Sequence, residues 1–248
     1  MMMSVDMDYR DRIYERYVKT HQEAFSPASL EGMSGRKPLL HDIIKRYFPK
    51  DKRAVILDLG CGFGAFMHAC REFGYENVTG VDRSPEQVKA AKNLGIERVE
   101  QGDLMHKLRS LPDASQDVVI SFDVIEHFNR KELIPLVDQV FRVLKSGGKW
   151  VVHVPNGESP FGGRIYYGDF THELIFTRTS IAQLSMASGF SRVTCEEDAP
   201  IPHGVKSSVR WMLWKVLRNL LWSYLVVETG SLHREHIFSQ NLLAVVEK

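Results

Sequence analysis

Val55-Ile56-Leu57-Asp58-Leu59-Gly60-Cys61-Gly62-Phe63-Gly64 is the stretch on which the fold turns. An apolar run of strand length leads into a glycine-rich turn. Ala65, Phe66, Ala69, Cys70 and Phe73 then recur at helical spacing and close at Gly74. Strand, glycine turn and helix in that order open a nucleotide-binding βα unit, whose glycines let the backbone approach a ligand with no Cβ in the way. A dinucleotide site uses G-x-G-x-x-G. Here the spacing is G-x-G-x-G, and Asp58 stands ahead of the first glycine. A carboxylate there repels a pyrophosphate, which wants bare helix N–H groups. It suits a ligand that carries positive charge.

Strands and helices alternate from this stretch to residue 156. The readings are strands at 78–81, 99–102, 118–122 and 150–154, each a short apolar run. Ser84 with Pro85 and Gln87 carries a helix-start signature, and so does Asn129 with Glu132. Pro135 sits inside the second of these helices, tolerable only near its first turns. Repeated βα units imply a parallel sheet with helices on both faces. Beyond it, 157–169 reads as loop and 180–188 as a helix stopped by Gly189. Segments 193–196 and 242–246 pair as an antiparallel hairpin at the sheet edge. Ahead of the sheet, Tyr9, Ile13 and Tyr17 (with Val18) share one helical face, 26–38 reads as loop, and Leu39 to Phe48 form a one-sided helix ended by Pro49.

Acids recur at the strand ends. Asp82 follows the glycine turn by about 20 residues, the offset at which a carboxylate reaches ribose hydroxyls. Asp103 and Leu104 end the third strand, where they can hold an adenine amino group and ring. Phe122 and Asp123 end the fourth, ahead of Glu126 and His127. Together these motifs resemble the class I S-adenosylmethionine-dependent methyltransferases, a cofactor with a sulfonium and an ammonium but no phosphate. The resemblance covers residues 54–156, and Lys145-Ser146-Gly147-Gly148 matches the family's K-P-G-G turn except at Ser146. It implies a Rossmann-like seven-stranded, mostly parallel α/β sheet. It also implies a cofactor site of Asp58, Gly60, Cys61, Gly62, Gly64, Asp82, Arg83, Asp103, Leu104, Phe122 and Asp123.

Methyl transfer to a hydroxyl needs a base, and histidine is the side chain used most often. His127 follows the fourth strand and His172 lies in Asp169-Phe170-Thr171-His172-Glu173-Leu174 after the fifth. Both are catalytic candidates; a histidine that packs the cofactor or ties loops together is the plainer reading, and it fits His127 better. Tyr166, Tyr167, Asp169, Lys206 and Arg210 are the acceptor-binding candidates. The segment 167–177, with the long insertion behind it, is similar to small methyltransferases of bacterial surface-polysaccharide biosynthesis. That similarity implies O-methylation of a glycan or activated sugar, or of a phosphoryl group on one. The alternatives are a small-molecule methyltransferase of quinone or secondary-metabolite type, and a cofactor-binding protein without turnover.

The expected organisation is a helical cap at 1–53 and a methyltransferase domain at 54–248, with an acceptor loop at 157–178 and a helical insertion at 198–240. The insertion's aromatic stripe, Trp211, Trp214 and Trp222, reads as packing on the core or in a homodimer; a peripheral membrane contact is the sharper alternative. A net charge of +1 over 248 residues gives no basic excess for nucleic acid, and the fourth strand lacks an Asn-Pro-Pro-Tyr-type tetrad. Cys61, Cys70 and Cys195 have no metal spacing and read as thiols of a reducing compartment, the first two buried. Residues 1–17 show no signal-peptide run, and 209–227 is interrupted by Arg210, Lys215, Arg218 and Asn219. A cytoplasmic enzyme without a metal is expected.

Overall fold

The computed structural model describes residues 9–16, 27 and 29–248. Strands β1 (Val55–Leu59), β2 (Asn77–Asp82), β3 (Val99–Gln101), β4 (Gln116–Phe122), β5 (Leu144–Pro155), β6 (Arg192–Glu197) and β7 (Asn241–Glu247) form a single sheet. Their order is β3-β2-β1-β4-β5-β7-β6. Neighbours among β1 to β5 run parallel, and β7 runs antiparallel to both β5 and β6. The apolar runs of β1, β4 and β5 are buried on both faces, as a parallel sheet between helices requires. Alternation along β5 sends Trp150 and Val152 into one core and Val151 into the other. The order of strands reverses between β1 and β4, so a crevice opens beyond their carboxyl ends.

Helices α3 (Ala65–Glu72), α4 (Pro85–Asn93), α5 (Leu104–Ser110), α6 (Arg130–Val143) and α8 (Arg178–Ala187) cover the sheet. The Asn129–Glu132 capping box forms in both directions. That at Ser84 is half made: the hydroxyl accepts from Gln87 N at 3.4 Å, but the Gln87 side chain does not return the bond. Pro135 is accommodated within α6.

Two segments expected to be loop contain helical turns. Within 26–38, a 3₁₀ turn spans Leu30–Gly35 and α2 (Lys37–Tyr47) starts with Pro38 in its first turn, where the preset φ helps. Within 157–169, α7 spans Gly162–Tyr166. Glycine and proline there shape the first turn of a helix instead of breaking one. Ahead of these, α1 (Tyr9–Tyr14) forms as expected, while Tyr17 and Val18 lie outside the described residues. Leu40, Ile43 and Ile44 of α2 are buried in the same core as Ile56 and Met67, so no packing break marks residue 53.

The insertion contains one long helix, α9 (Val205–Thr229), flanked by irregular segments. Two of its tryptophans turn toward the chain: Trp214 Nε1 donates to Glu197 at 3.0 Å and Trp222 Nε1 to His233 O at 2.9 Å, while Trp211 is exposed. The exposed face is mostly aliphatic, with Met212, Leu213, Val216, Leu217 and Leu220 beside Trp211 and Tyr224. Among the described residues no helix is long and apolar enough to cross a membrane.

Candidate active site

A cavity of about 930 Å³ occupies the crevice beyond β1 and β4. Its floor is the turn after β1. Gly60 has φ +69°, and a Cβ there would lie 2.4 Å from Val124 Cγ2, so only glycine fits. Asp82 pins the turn: its Oδ2 accepts from Gly62 N and its Oδ1 from Ser84 N, both at 2.8 Å. Burial raises the Asp82 pKa against those two bonds. Burial, and then the neighbouring Asp82 carboxylate, push Asp58 well above the usual carboxylate range. Asp58 Oδ2 and Gln87 Oε1 are buried and have no hydrogen-bond partner. Both residues line the cavity. An orphaned buried acceptor is costly unless a ligand completes it.

A second set of contacts shapes the end of β4. Asp123 adopts φ +58°, which turns its carboxylate between Arg36 (2.8 Å) and His153 Nδ1 (2.5 Å). His153 Nε2 lies 3.2 Å from Asp198, and its ring stacks on Phe122 at 4.0 Å. Burial opposes the charge, but Asp123 and Asp198 keep the imidazolium, with its pKa pushed up to about 9. The same partners hold Asp123 well below the carboxylate range despite its burial. A histidine whose folded pKa exceeds its ordinary value of about 6.5 stabilises fully below that value, and loses the effect as pH rises through about 9. His153→Asn should therefore lower the melting temperature most near pH 6–7, and progressively less toward pH 10. A gap between the two proteins that stays constant over that range would refute the charged pair.

The far wall carries Glu126, His127 and His172. Glu126 is 1% exposed and its Oε2 has no partner. Burial first, then Asp123, raise its pKa well above the usual range. Its backbone carbonyl accepts from Glu173 N (2.8 Å) and Leu174 N (3.0 Å), which ties the acceptor loop to the end of β4. His127 Nδ1 lies 2.8 Å from Thr171 Oγ1, and the Thr171 hydroxyl donates to Asp169 at 2.6 Å. With its own hydroxyl hydrogen directed at Asp169, the threonine oxygen accepts from His127 Nδ1–H. Burial, then the adjacent His172, push His127 down to about 4. His172 Nδ1 donates to Tyr166 O at 3.1 Å, and its Nε2 lies 4.0 Å from Glu126. The two rings are 4.7 Å apart.

Helix α1 closes the remaining side. Arg10 donates to His127 O at 3.1 Å and grips both Glu132 oxygens at 2.9 and 2.6 Å. Tyr14 lines the cavity and its backbone carbonyl accepts from Ser84 Oγ at 3.2 Å.

Asp58, Gly60, Cys61, Gly62, Asp82, Arg83, Asp103, Leu104, Phe122 and Asp123 all line this cavity, as do His127, Asp169 and His172. Gly64 does not; it caps α3 in a left-handed conformation. Asp103 caps α5 through His106 N at 2.9 Å. Tyr166 and Tyr167 also lie off the cavity wall. Tyr166 serves through its backbone carbonyl, and the Tyr167 side chain is exposed. Lys206 and Arg210 stand exposed on α9, away from the wall. Loop tyrosines and a basic helix start are acceptor-like in composition, but their side chains point elsewhere. Arg36, Tyr14, Gln87, Glu126 and His153 are not among the site residues that the sequence suggests. Only Glu126 carried a signal, its position in Asp123-Val124-Ile125-Glu126-His127.

Residues 57–152 match a family model described as "Methyltransferase domain". The chain is 33% identical over 100 residues to "Ubiquinone biosynthesis O-methyltransferase" of Xanthomonas oryzae, covering 39% of this chain and 41% of that one. It is 33% identical over 120 residues to "Ajmaline N-methyltransferase" of Rauvolfia serpentina, covering 45% of this chain and 40% of that one. The matches thus span about two fifths of these curated relatives. A SAM dependent methyltransferase from Archaeoglobus fulgidus superposes with a TM-score of 0.64 at 25% identity, covering 88% of this chain and 97% of that structure.

Proposed function

We propose that this chain, whose central unit is an S-adenosylmethionine-dependent methyltransferase domain, moves a methyl group onto an oxygen of a glycan or activated-sugar acceptor. S-adenosylmethionine is the cofactor of this fold, and when bound it supplies a methyl carbon made electrophilic by positive sulfur. The residues present fit it. Asp58 Oδ2 is a buried acceptor without a partner, suited to an ammonium, and Gly60 leaves the floor bare. Asp82, at the end of β2, would accept from ribose hydroxyls while its bonds to Gly62 and Ser84 hold the turn. Asp82→Ala should weaken S-adenosylhomocysteine binding by about 1–3 kcal/mol, roughly five- to 150-fold by calorimetry. Unchanged affinity would remove Asp82 from the site.

The observation that carries the oxygen reading is the polar wall of Glu126, His127 and His172 inside the cofactor cavity. A neutral hydroxyl must shed its proton as the methyl arrives, and this wall holds the groups for it. With Nδ1–H committed to Tyr166 O, His172 Nε2 keeps its lone pair and is the proton acceptor. Arg164 on the cavity rim adds positive charge, which suits a phosphoryl group on an activated sugar. A quinol hydroxyl is the second reading, favoured by Leu104, Phe122, Phe128 and Ile165 in the wall.

Incubation with methyl-labelled S-adenosylmethionine and a panel of nucleotide sugars, glycans, quinols and amines tests this, with mass spectrometry of the products. Label on sugar oxygens is expected. Label on quinols alone would favour the second reading, and label on amines alone would overturn the oxygen acceptor.

A further inference from the structure

We infer that Glu126, His127 and His172 form a binding site for a divalent transition-metal ion, open on the cavity side. One donor atom from each lies within 4.8 Å of the other two. A tetrahedral ion with bonds of about 2.0–2.1 Å spaces its ligands about 3.4 Å apart. Binding therefore requires the three groups to draw in by up to about 1.4 Å.

The surroundings prepare them as ligands. Metal-binding histidines use one ring nitrogen and donate the other N–H to a fixed acceptor. His172 Nδ1–H goes to Tyr166 O at 3.1 Å. His127 Nδ1–H goes to Thr171 Oγ1 at 2.8 Å, and that hydroxyl is itself oriented by Asp169 at 2.6 Å. Each ring is thus left with its lone pair on Nε2. The third group brings an independent signal: Glu126 is 1% exposed, and its Oε2 has no partner. Three protein ligands of this kind, with an open fourth position, make the pattern of catalytic ion sites, and two imidazoles favour zinc-like ions over magnesium.

The open position gives the ion its role, and that role, though not the site, rests on the oxygen-acceptor reading. An acceptor hydroxyl held there passes its proton to water while its oxygen bonds the methyl carbon. The C–S bond breaks and its electron pair stays on sulfur. With the ion bound, the Nε2 lone pair of His172 is a ligand and water the proton acceptor; with the ion absent, His172 takes the proton itself.

The test uses the full chain, stripped with a chelator and dialysed, then titrated with Co(II) and separately with Zn(II). One saturable ion is expected, with the visible Co(II) bands of an ordered site. Glu126→Gln and His172→Ala should each weaken binding at least tenfold. Thr171→Val, which frees the His127 ring, should weaken it about 10–100-fold. His106→Ala, outside the cavity wall, should bind as the parent does. S-adenosylhomocysteine calorimetry on every variant establishes that the fold is intact. Absence of a saturable ion, or Co(II) bands indifferent to Glu126→Gln and His172→Ala, would overturn the site. If such a protein still methylates a sugar oxygen, the oxygen-acceptor reading survives alone. If the ion binds but only amines are labelled, the site stands and that reading fails.

Discussion

His172→Ala is expected to lower kcat by about 10²–10⁴ while S-adenosylhomocysteine affinity stays within a few-fold, the loss of a correctly placed group that activates the acceptor hydroxyl, as base or as ion ligand. The separation of effects follows from position. The cofactor floor is built by Asp58, Gly60, Gly62 and Asp82, whereas His172 is held by the loop bond to Tyr166 O and faces Glu126. The measurement is single-turnover transfer to whichever acceptor the labelling panel identifies, beside calorimetry of the cofactor product. His127→Ala should touch binding as well, because its ring sits between His172 and Tyr14, and its backbone carbonyl receives Arg10. A His172→Ala enzyme within a few-fold of the parent would point to an acceptor already anionic, for which alignment alone suffices.

Trp150→Ala is expected to cost about 3–5 kcal/mol, the range for deleting a large buried aromatic side chain. Trp150 is 0% exposed at the centre of the sheet, where its ring stacks on Phe190 and its Nε1 donates to Ser121 at 3.0 Å. The substitution leaves a cavity and strands the serine hydroxyl together. Urea unfolding followed by circular dichroism should show the midpoint falling, with Trp150→Phe falling less because the ring is mostly refilled. Equal losses for both variants would mean that the Ser121 bond, and not the packing, dominates.

The parts that were legible in the sequence are those whose causes are local. The strand–glycine–helix pattern at 55–73 and the capping residues Asn129 and Glu132 each act within a few positions, and each stands where its residues predicted. The acids at successive strand ends are legible because β-strand direction alone brings Asp58, Asp82 and Asp123 to one edge. What could not be read depends on distant partners. Arg36 reaches Asp123 across 87 positions of chain, and His153 is charged only because Asp123 and Asp198 converge on it from different elements. In the sequence, His153 is one polar residue in an apolar strand. The acceptor candidates on α9 show the converse: their composition is suggestive, but Lys206 and Arg210 are exposed and outside the cavity lining.

The place of β7 has a consequence for how the chain is made. It is the last of the seven strands in sequence, yet it lies inside the sheet, between β5 and β6. β6 pairs with β7 and with no other strand of the sheet, and the outer edge of β5 is closed by β7 alone. A ribosome adding about 5–20 residues per second leaves β5 open-edged for several seconds after it emerges. The cofactor half, β1 to β4, has all its partners by then and can close around its crevice. The other half waits with apolar strand edges unpaired, which is when a nascent chain is most prone to pair with a neighbour. Chaperone dependence during synthesis should therefore fall on the β5–β6 half, where β6 stays an edge strand even in the finished sheet.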